Sequence, residues 1–341
     1  MSQILKIDNL KKYFPLRKGM IATFLGREKA YFRAVDDISF AVNNGEILGF
    51  VGESGCGKST MSRSILRLIE PTAGKVYFNG TRVDSLGKKE FKPYRRWMQM
   101  IFQDPFGSLN PRRAVSETLR QTIRIHELAQ DKSGEDALIK KTLEEVGLKP
   151  VDEFWNKYPG LLSGGQLQRV SIARVMVLQP KLVIADEAVS MLDVSVRIGI
   201  LDLLLEMRIN YGISFIYITH DLITARYICD RVAIMYLGKI MEIGPTEQII
   251  NNPTHPYTRA LIIAVPVPDP TAQISELPIR GYVPITPGET AGGCNFAPRC
   301  PYREKQCRQD EPEMRQVGID HYVSCFAVQK GEGSATNGLI G

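Results

Sequence analysis

The stretch Gly52-Glu53-Ser54-Gly55-Cys56-Gly57-Lys58-Ser59-Thr60 constrains this chain more than any other. A short apolar run, Glu46 to Val51, precedes it and reads as a strand. Lys58 to Ile69 follows and reads as a helix stopped by Pro71. A glycine-rich turn between a strand and a helix lets consecutive backbone N–H groups face one anion, and the helix N-terminus adds partial positive charge. The spacing is that of a phosphate-binding loop. Gly52, Ser54, Gly55, Gly57 and Thr60 belong to the cradle, Lys58 meets the outer phosphates, and the Ser59 hydroxyl can bind Mg²⁺.

A loop of this kind implies alternating strands and helices, and the chain supplies them. Leu182 to Ala185, Ile213 to Thr219 and Val232 to Tyr236 are apolar runs of strand length with helical stretches between, which predicts a mostly parallel sheet covered on both faces. Val35 to Val42 is a further candidate strand. Lys75 to Val83 reads as a hairpin around Asn79-Gly80. Residues 104–180 switch to helical patterning, with Ile139, Leu143 and Val146 on one face of a helix ending near Gly147. From Asn251 the texture changes, for residues 251–301 hold ten prolines, which break any long element. The expected organisation is a nucleotide-binding domain over 1–250 with a helical subdomain at about 104–180, a small C-terminal region over 251–330, and a flexible tail over 331–341.

Composition excludes some classes. At 44% apolar and 23% charged residues over 341, wholesale disorder and fibrous structure are out. No apolar run approaches the ~20 residues needed to cross a bilayer. Met1 to Lys12 lacks the pattern of a secretory signal, so the protein is expected to stay in the cytoplasm. The net charge of +6 is mild. Part of it sits in a basic insert, Arg17 to Arg33, which reads as a solvated loop or as a contact with phospholipid head groups or a membrane partner.

Two more motifs carry chemistry. Leu182-Val183-Ile184-Ala185-Asp186-Glu187 is a strand ending in two carboxylates. Asp186 stands where a Mg²⁺-organising group is needed, and Glu187 where one could polarise an attacking water. In Leu162-Ser163-Gly164-Gly165-Gln166, Ser163 is a good N-cap, and the two glycines leave backbone N–H groups unobstructed, which makes a second anion site. Four of the six cysteines, Cys294, Cys300, Cys307 and Cys325, crowd the C-terminal region with five, six and seventeen residues between them. Four thiolates at this spacing suit Zn²⁺ or an iron–sulfur cluster alike.

With these motifs in this order, residues 4–250 resemble the ATP-binding cassette (ABC) ATPases. The resemblance implies a P-loop, RecA-like α/β core with an antiparallel β subdomain and an inserted helical signature subdomain. It implies that Ser163, Gly164, Gly165 and Gln166 face ATP held by another subunit in a head-to-tail dimer, with Asp193 in the loop that crosses the interface. It assigns Gln103 to the glutamine loop that touches Mg²⁺ or the attacking water, with Ser59 and Asp186 as the other Mg²⁺ positions. It assigns His220 to the γ-phosphate, and Phe14, with Tyr13 as the alternative, to stacking on adenine. Ala188 and Met191 depart from the common pattern, the second by placing a bulky residue at a dimer contact. The segment Asn252-Pro253-Thr254-His255-Pro256-Tyr257-Thr258 and the four cysteines resemble the tails of oligopeptide and dipeptide importer ATPases. That resemblance implies a [4Fe–4S] cluster in a small Cys-rich module, with Zn²⁺ as the alternative from spacing alone. It also implies a second ATPase chain in a heterodimer, two integral membrane permeases, an extracytoplasmic solute-binding protein, and a peripheral place on the cytoplasmic face of the membrane. Importers of oligosaccharides, nickel or glutathione share the same tail. A soluble cassette acting on ribosomes or nucleic acid is the competing class. The single cassette, the absence of a long coiled-coil insert between Lys58 and Ser163, and the lack of an interleaved basic and aromatic module all speak against nucleic acid as a partner.

Overall fold

A computed structural model describes residues 2–16, 31–265, 279–280 and 292–329. Most of the basic insert, most of the proline-rich stretch from 266 to 291, and the 331–341 tail lie outside the described residues. In chain order the elements used below are β1 (Gln3–Pro15), β2 (Tyr31–Asn43), β3 (Ile47–Val51), α1 (Lys58–Ile65), β4 (Ala73–Phe78), β5 (Thr81–Arg82) and β6 (Met98–Ile101). Helices α2 (Pro105–Ser108), α3 (Val115–Ile125), α4 (Lys132–Glu145), α5 (Val151–Trp155) and α6 (Gly164–Met176) follow. Then come β7 (Leu182–Asp186), α7 (Val194–Tyr211), β8 (Ser214–Thr219), α8 (Leu222–Ile228), β9 (Arg231–Tyr236) and β10 (Lys239–Pro245). After them come α9 (Thr246–Asn251), α10 (Pro256–Ile263), β11 (Met314–Gly318) and β12 (His321–Ser324).

The chain divides into two compact units. One takes Met1–Lys6, Ala41–Ile47 and Tyr77–Ile218; the other takes Ile7–Phe40, Leu48–Val76 and Thr219–Gly341. In the first unit β6, β7 and β8 run parallel, with Met98 opposite Leu182 and Leu182 opposite Ser214. Every residue of β7 and β8 is buried, as expected of uninterrupted apolar strands covered on both faces. All the helices between β6 and β7 belong to this unit. The β4–β5 hairpin turns through Asn79 and Gly80, both at positive φ (47° and 78°), the geometry that an Asn-Gly pair favours.

In the second unit β3 runs parallel to β9, with Leu48 opposite Arg231 and Val51 opposite Ile234. Strand β10 is antiparallel to β9, β12 to β10, and β11 to β12. The C-terminal segment thus adds two strands beside β10. Fully buried Glu242 ties them down. Its carboxylate accepts from the backbone N–H groups of Thr254 (2.9 Å) and His255 (3.0 Å) and pairs with His321 Nε2 at 2.7 Å. A carboxylate so deep is tolerated only when its oxygens are satisfied in this way.

Helix ends show where local pattern is readable. Helix α4 stops as expected, because Gly147 (φ 74°) closes it. The Leu148 N–H reaches Leu143 O (2.9 Å) and the Gly147 N–H reaches Glu144 O (3.0 Å). Helix α1 uses the same closure four residues earlier than the sequence suggests. Arg67 takes φ 51°, Leu68 N–H donates to Arg63 O (2.8 Å) and Arg67 N–H to Ser64 O (3.1 Å). An arginine in a left-handed cap carries no compositional mark, so Pro71 looks like the terminator when it is not.

Candidate functional site

The phosphate loop stands between fully buried β3 and the first turn of α1, and from Leu48 onward this stretch lies within the second unit. Two of its glycines are required by close backbone approach. A Cβ on Gly52 would lie 2.1 Å from the Met235 carbonyl oxygen, and one on Gly57 (φ 107°) would lie 2.0 Å from that of Ala34. Gly55 (φ 80°) faces open space with Ser54, both exposed. Lys58 is buried at 4% exposure, and its Nζ donates to Gly52 O (2.7 Å) and Glu53 O (3.0 Å), with Cys56 Sγ at 3.5 Å. These acceptors are neutral, so none of them offsets the charge that an anion would meet. Burial pushes the Cys56 thiol up, against the pull of Lys58, which keeps it a neutral thiol. Ser59 and Thr60 are half-buried, and the first turn of α1 holds no acidic residue to oppose the helix dipole.

Of the two candidate adenine aromatics, Phe14 is 38% exposed, with the Lys12 ammonium 5.0 Å from its ring centroid. Tyr13 is committed elsewhere: its hydroxyl donates to the Asp36 carboxylate, and burial with that bond pushes the phenol well up. His220 is exposed directly after β8. The next residue, Asp221, caps α8 by accepting from Ile223 N–H (2.8 Å), which sets the backbone that carries the imidazole.

The first unit carries the other candidates. Asp186 ends β7 and is 4% exposed. Glu187 follows in a left-handed conformation (φ 47°), its N–H donating to Ile218 O at 2.9 Å. Such a φ is uncommon for a residue other than glycine, and here it turns the chain directly after the buried strand. The Glu187 Oε2 accepts from Gln103 Nε2 at 2.9 Å, so two residues far apart in sequence meet here. Gln103 is placed by Asp104, which caps α2 by accepting from Phe106 N–H (2.9 Å). At the start of α6, Ser163 Oγ accepts from Gln166 N–H (3.3 Å), while Gln166 Oε1 accepts from Ser163 N–H (3.1 Å). This reciprocal capping box satisfies two N–H groups and fixes where the helix starts, leaving those of Gly164 and Gly165 outside it. A Cβ on Gly165 would sit 2.4 Å from Val196 Cγ1, so the first turn of α7 dictates that glycine; Gly164 has Leu192 nearest, at 3.5 Å. Asp193, which precedes α7, is exposed, as are Met191 (64%) and Val194 (71%) beside it.

In the second unit Cys294, Cys300, Cys307 and Cys325 all line one pocket, together with His255 and Phe296. Burial pushes the Cys294 thiol up to about 12 and Cys300 up to about 11, and the neighbouring thiols add to both. Among the described residues no group of three or more His, Cys, Asp or Glu stands ready-made to hold a metal ion. No helix among them is long and apolar enough to cross a membrane. Neither Tyr257 nor Arg299, both of which bond to Glu53 in the phosphate loop, is marked by any motif for that role.

Known proteins resemble this chain along most of its length. Residues 35–190 match the ABC transporter family, and residues 241–307 match the oligopeptide/dipeptide transporter C-terminal region. The probable peptide ABC transporter ATP-binding protein y4tS of Sinorhizobium fredii is 44% identical over 322 residues, covering 94% of this chain and 89% of the relative. The oligopeptide transport ATP-binding protein AppF of Bacillus subtilis is 39% identical, with 94% and 96% covered. Among solved structures, the dimeric ATP-binding cassette MJ0796 bound to ADP and phosphate after hydrolysis matches with a TM-score of 0.62 at 26% identity, over 71% of this chain and 98% of the other. The cbiO1 protein of Clostridium perfringens matches with a TM-score of 0.61 at 25% identity, over 74% and 92%. Identity of this order along nearly the whole of both chains admits one assignment: this chain belongs to the ABC transporter ATPases, in the branch that carries the oligopeptide/dipeptide transporter C-terminal region.

Proposed function

We propose that the chain is the ATP-hydrolysing, energy-coupling subunit of a peptide importer. The observation that carries this reading is the joining of a phosphate loop to the transporter-type C-terminal region in one chain, with relatives named for peptide transport. In the proposed cycle Lys58 and the loop N–H groups bind the phosphates and Phe14 takes the adenine. Ser59, Gln103 and Asp186 serve Mg²⁺. Glu187 polarises the attacking water, and His220 holds the γ-phosphate. Ser163, Gly164, Gly165, Gln166 and Asp193 contact the nucleotide of a partner ATPase, so ATP bridges two chains and hydrolysis releases them. The exposed Met191 and Val194 beside that surface support a protein contact there. Catalysis of this kind is positioning and charge stabilisation.

In this reading residues 1–250 form the nucleotide-binding domain, and the helices within 104–180 are its signature subdomain. Phe106, 57% exposed, with the residues up to Arg113, offers a surface for a coupling helix of a membrane subunit. The partners are a second ATPase in a heterodimer, two permeases and an extracytoplasmic solute-binding protein, with this chain peripheral on the cytoplasmic face. Reconstitution with those membrane partners in liposomes is expected to give peptide uptake that requires ATP. Uptake of another solute class with no response to peptide would overturn the choice of cargo, and co-purification with ribosomes in place of permeases would overturn transport.

The C-terminal region is read as a Cys-rich module whose four thiols hold a [4Fe–4S] cluster, or Zn²⁺ as the alternative. The donors fit in number and softness, since all four face one pocket. The cluster when bound would supply four sulfur-bound irons that lock the segment. This chain's part is to give up the thiol protons, which burial opposes, so loading is favoured at higher pH. Protein purified without air should contain iron and acid-labile sulfide in equal amounts, and Cys300→Ser should lose both. Zinc in their place selects the alternative.

A further inference from the structure

The phosphate loop is gripped from behind by the C-terminal segment, within the second unit. Both carboxylate oxygens of Glu53 accept from Arg299 Nη1, at 2.9 and 3.0 Å. Arg299 is buried, and its guanidinium lies 5.7 Å from the Tyr236 ring centroid and 6.0 Å from that of Phe296. Tyr236, Tyr257 and Phe296 pack together at centroid distances of 4.7 to 5.4 Å, and the Tyr257 hydroxyl accepts from Glu53 N–H at 3.1 Å. A second tether runs through Asn295, whose Nδ2 donates to Leu237 O (2.9 Å). The next residue, Gly238, donates its N–H to Cys56 O in the loop (2.8 Å).

Asn295, Phe296 and Arg299 all lie between Cys294 and Cys300, two of the four thiols that share a pocket, and Phe296 lines that pocket itself. Anything that fixes those cysteines fixes the tethers. The electrostatics point the same way. A carboxylate inside an anion cradle repels phosphate, and Arg299 cancels it with a buried positive charge.

We propose that Arg299 is a positioning residue for nucleotide: it neutralises Glu53 and holds the phosphate loop, so that filling the four-thiol pocket tightens Mg-ATP binding. The first half rests on the phosphate loop alone; the second rests on the four-thiol site proposed above.

Mg-ATP affinity of the full chain, measured by calorimetry, tests both halves. Arg299→Ala is expected to weaken binding about tenfold, and the double variant with Glu53→Gln to recover most of the loss. Should Arg299→Ala fail to fold, Arg299→Gln with and without Glu53→Gln supplies the same comparison. Unchanged affinity in the single variant, or no recovery in the double, overturns the role, as does a loss of affinity fully accounted for by a lower thermal stability of the nucleotide-free variant, since neutralising Glu53 would relieve a purely structural arginine too. For the second half, wild-type protein is compared loaded and stripped, with metal content measured separately. Stripping is expected to weaken binding several-fold in wild type and not in the Glu53→Gln/Arg299→Gln pair. Equal affinity of loaded and stripped wild type overturns the coupling. Protein that takes up neither iron nor zinc overturns the four-thiol site and with it the second half, while leaving the first half to its own result.

Discussion

Glu187→Gln is expected to lower steady-state ATP hydrolysis by about a hundredfold or more while leaving Mg-ATP binding intact. The substitution keeps shape and hydrogen-bonding capacity but removes the negative charge that would draw a proton from the attacking water. Gln103 already reaches that carboxylate at 2.9 Å, and the left-handed backbone at Glu187 aims it from the end of a fully buried strand. An amide in its place can still bond to Gln103, so the fold should be unharmed. Because the bridging phosphate is no longer cleaved, ATP should trap a dimer that size-exclusion chromatography detects. Turnover near that of wild type would remove Glu187 from its assigned part.

Lys58→Ala should fail one step earlier, at binding. Losing one charged hydrogen-bond donor to a phosphate costs about 1.5–3 kcal/mol, or roughly ten- to a hundredfold in affinity. The loop itself also loosens, because the Lys58 ammonium bonds to the carbonyls of Gly52 and Glu53 from within it. Equilibrium binding of Mg-ATP checks the effect, and thermal unfolding of the nucleotide-free variant separates lost affinity from lost structure. Affinity equal to wild type would refute the phosphate role of Lys58. The two variants are expected to divide the proposed cycle between them, one binding without cleaving and the other binding weakly.

The motifs were legible because each makes its demand within a few residues. Gly57 can be nothing but glycine where the chain turns through φ 107° against Ala34, and Ser163 with Gln166 forms a capping box from four consecutive positions. Strands β7, β8 and β9 announced themselves as unbroken apolar runs, since burial on both faces leaves no room for polar alternation. The early end of α1 did not, because Arg67 takes a glycine's conformation without a glycine's signal.

The hydrogen bonds between distant segments were not legible in the residues themselves. Gln103 bonds to Glu187 across 84 positions, Glu242 pairs with His321 across 79, and Arg299 reaches Glu53 across 246. From its amino acids alone the chain declared a phosphate cradle, a carboxylate-ended strand, a glycine-opened helix and four clustered thiols. Only the tertiary structure decided that the thiol-bearing segment adds strands beside β10 and closes on the loop through Arg299. Local motifs are written in backbone geometry, which a few neighbouring residues dictate. Which buried charge meets which is settled by packing, where two segments share an interior and each must satisfy the other's polar groups.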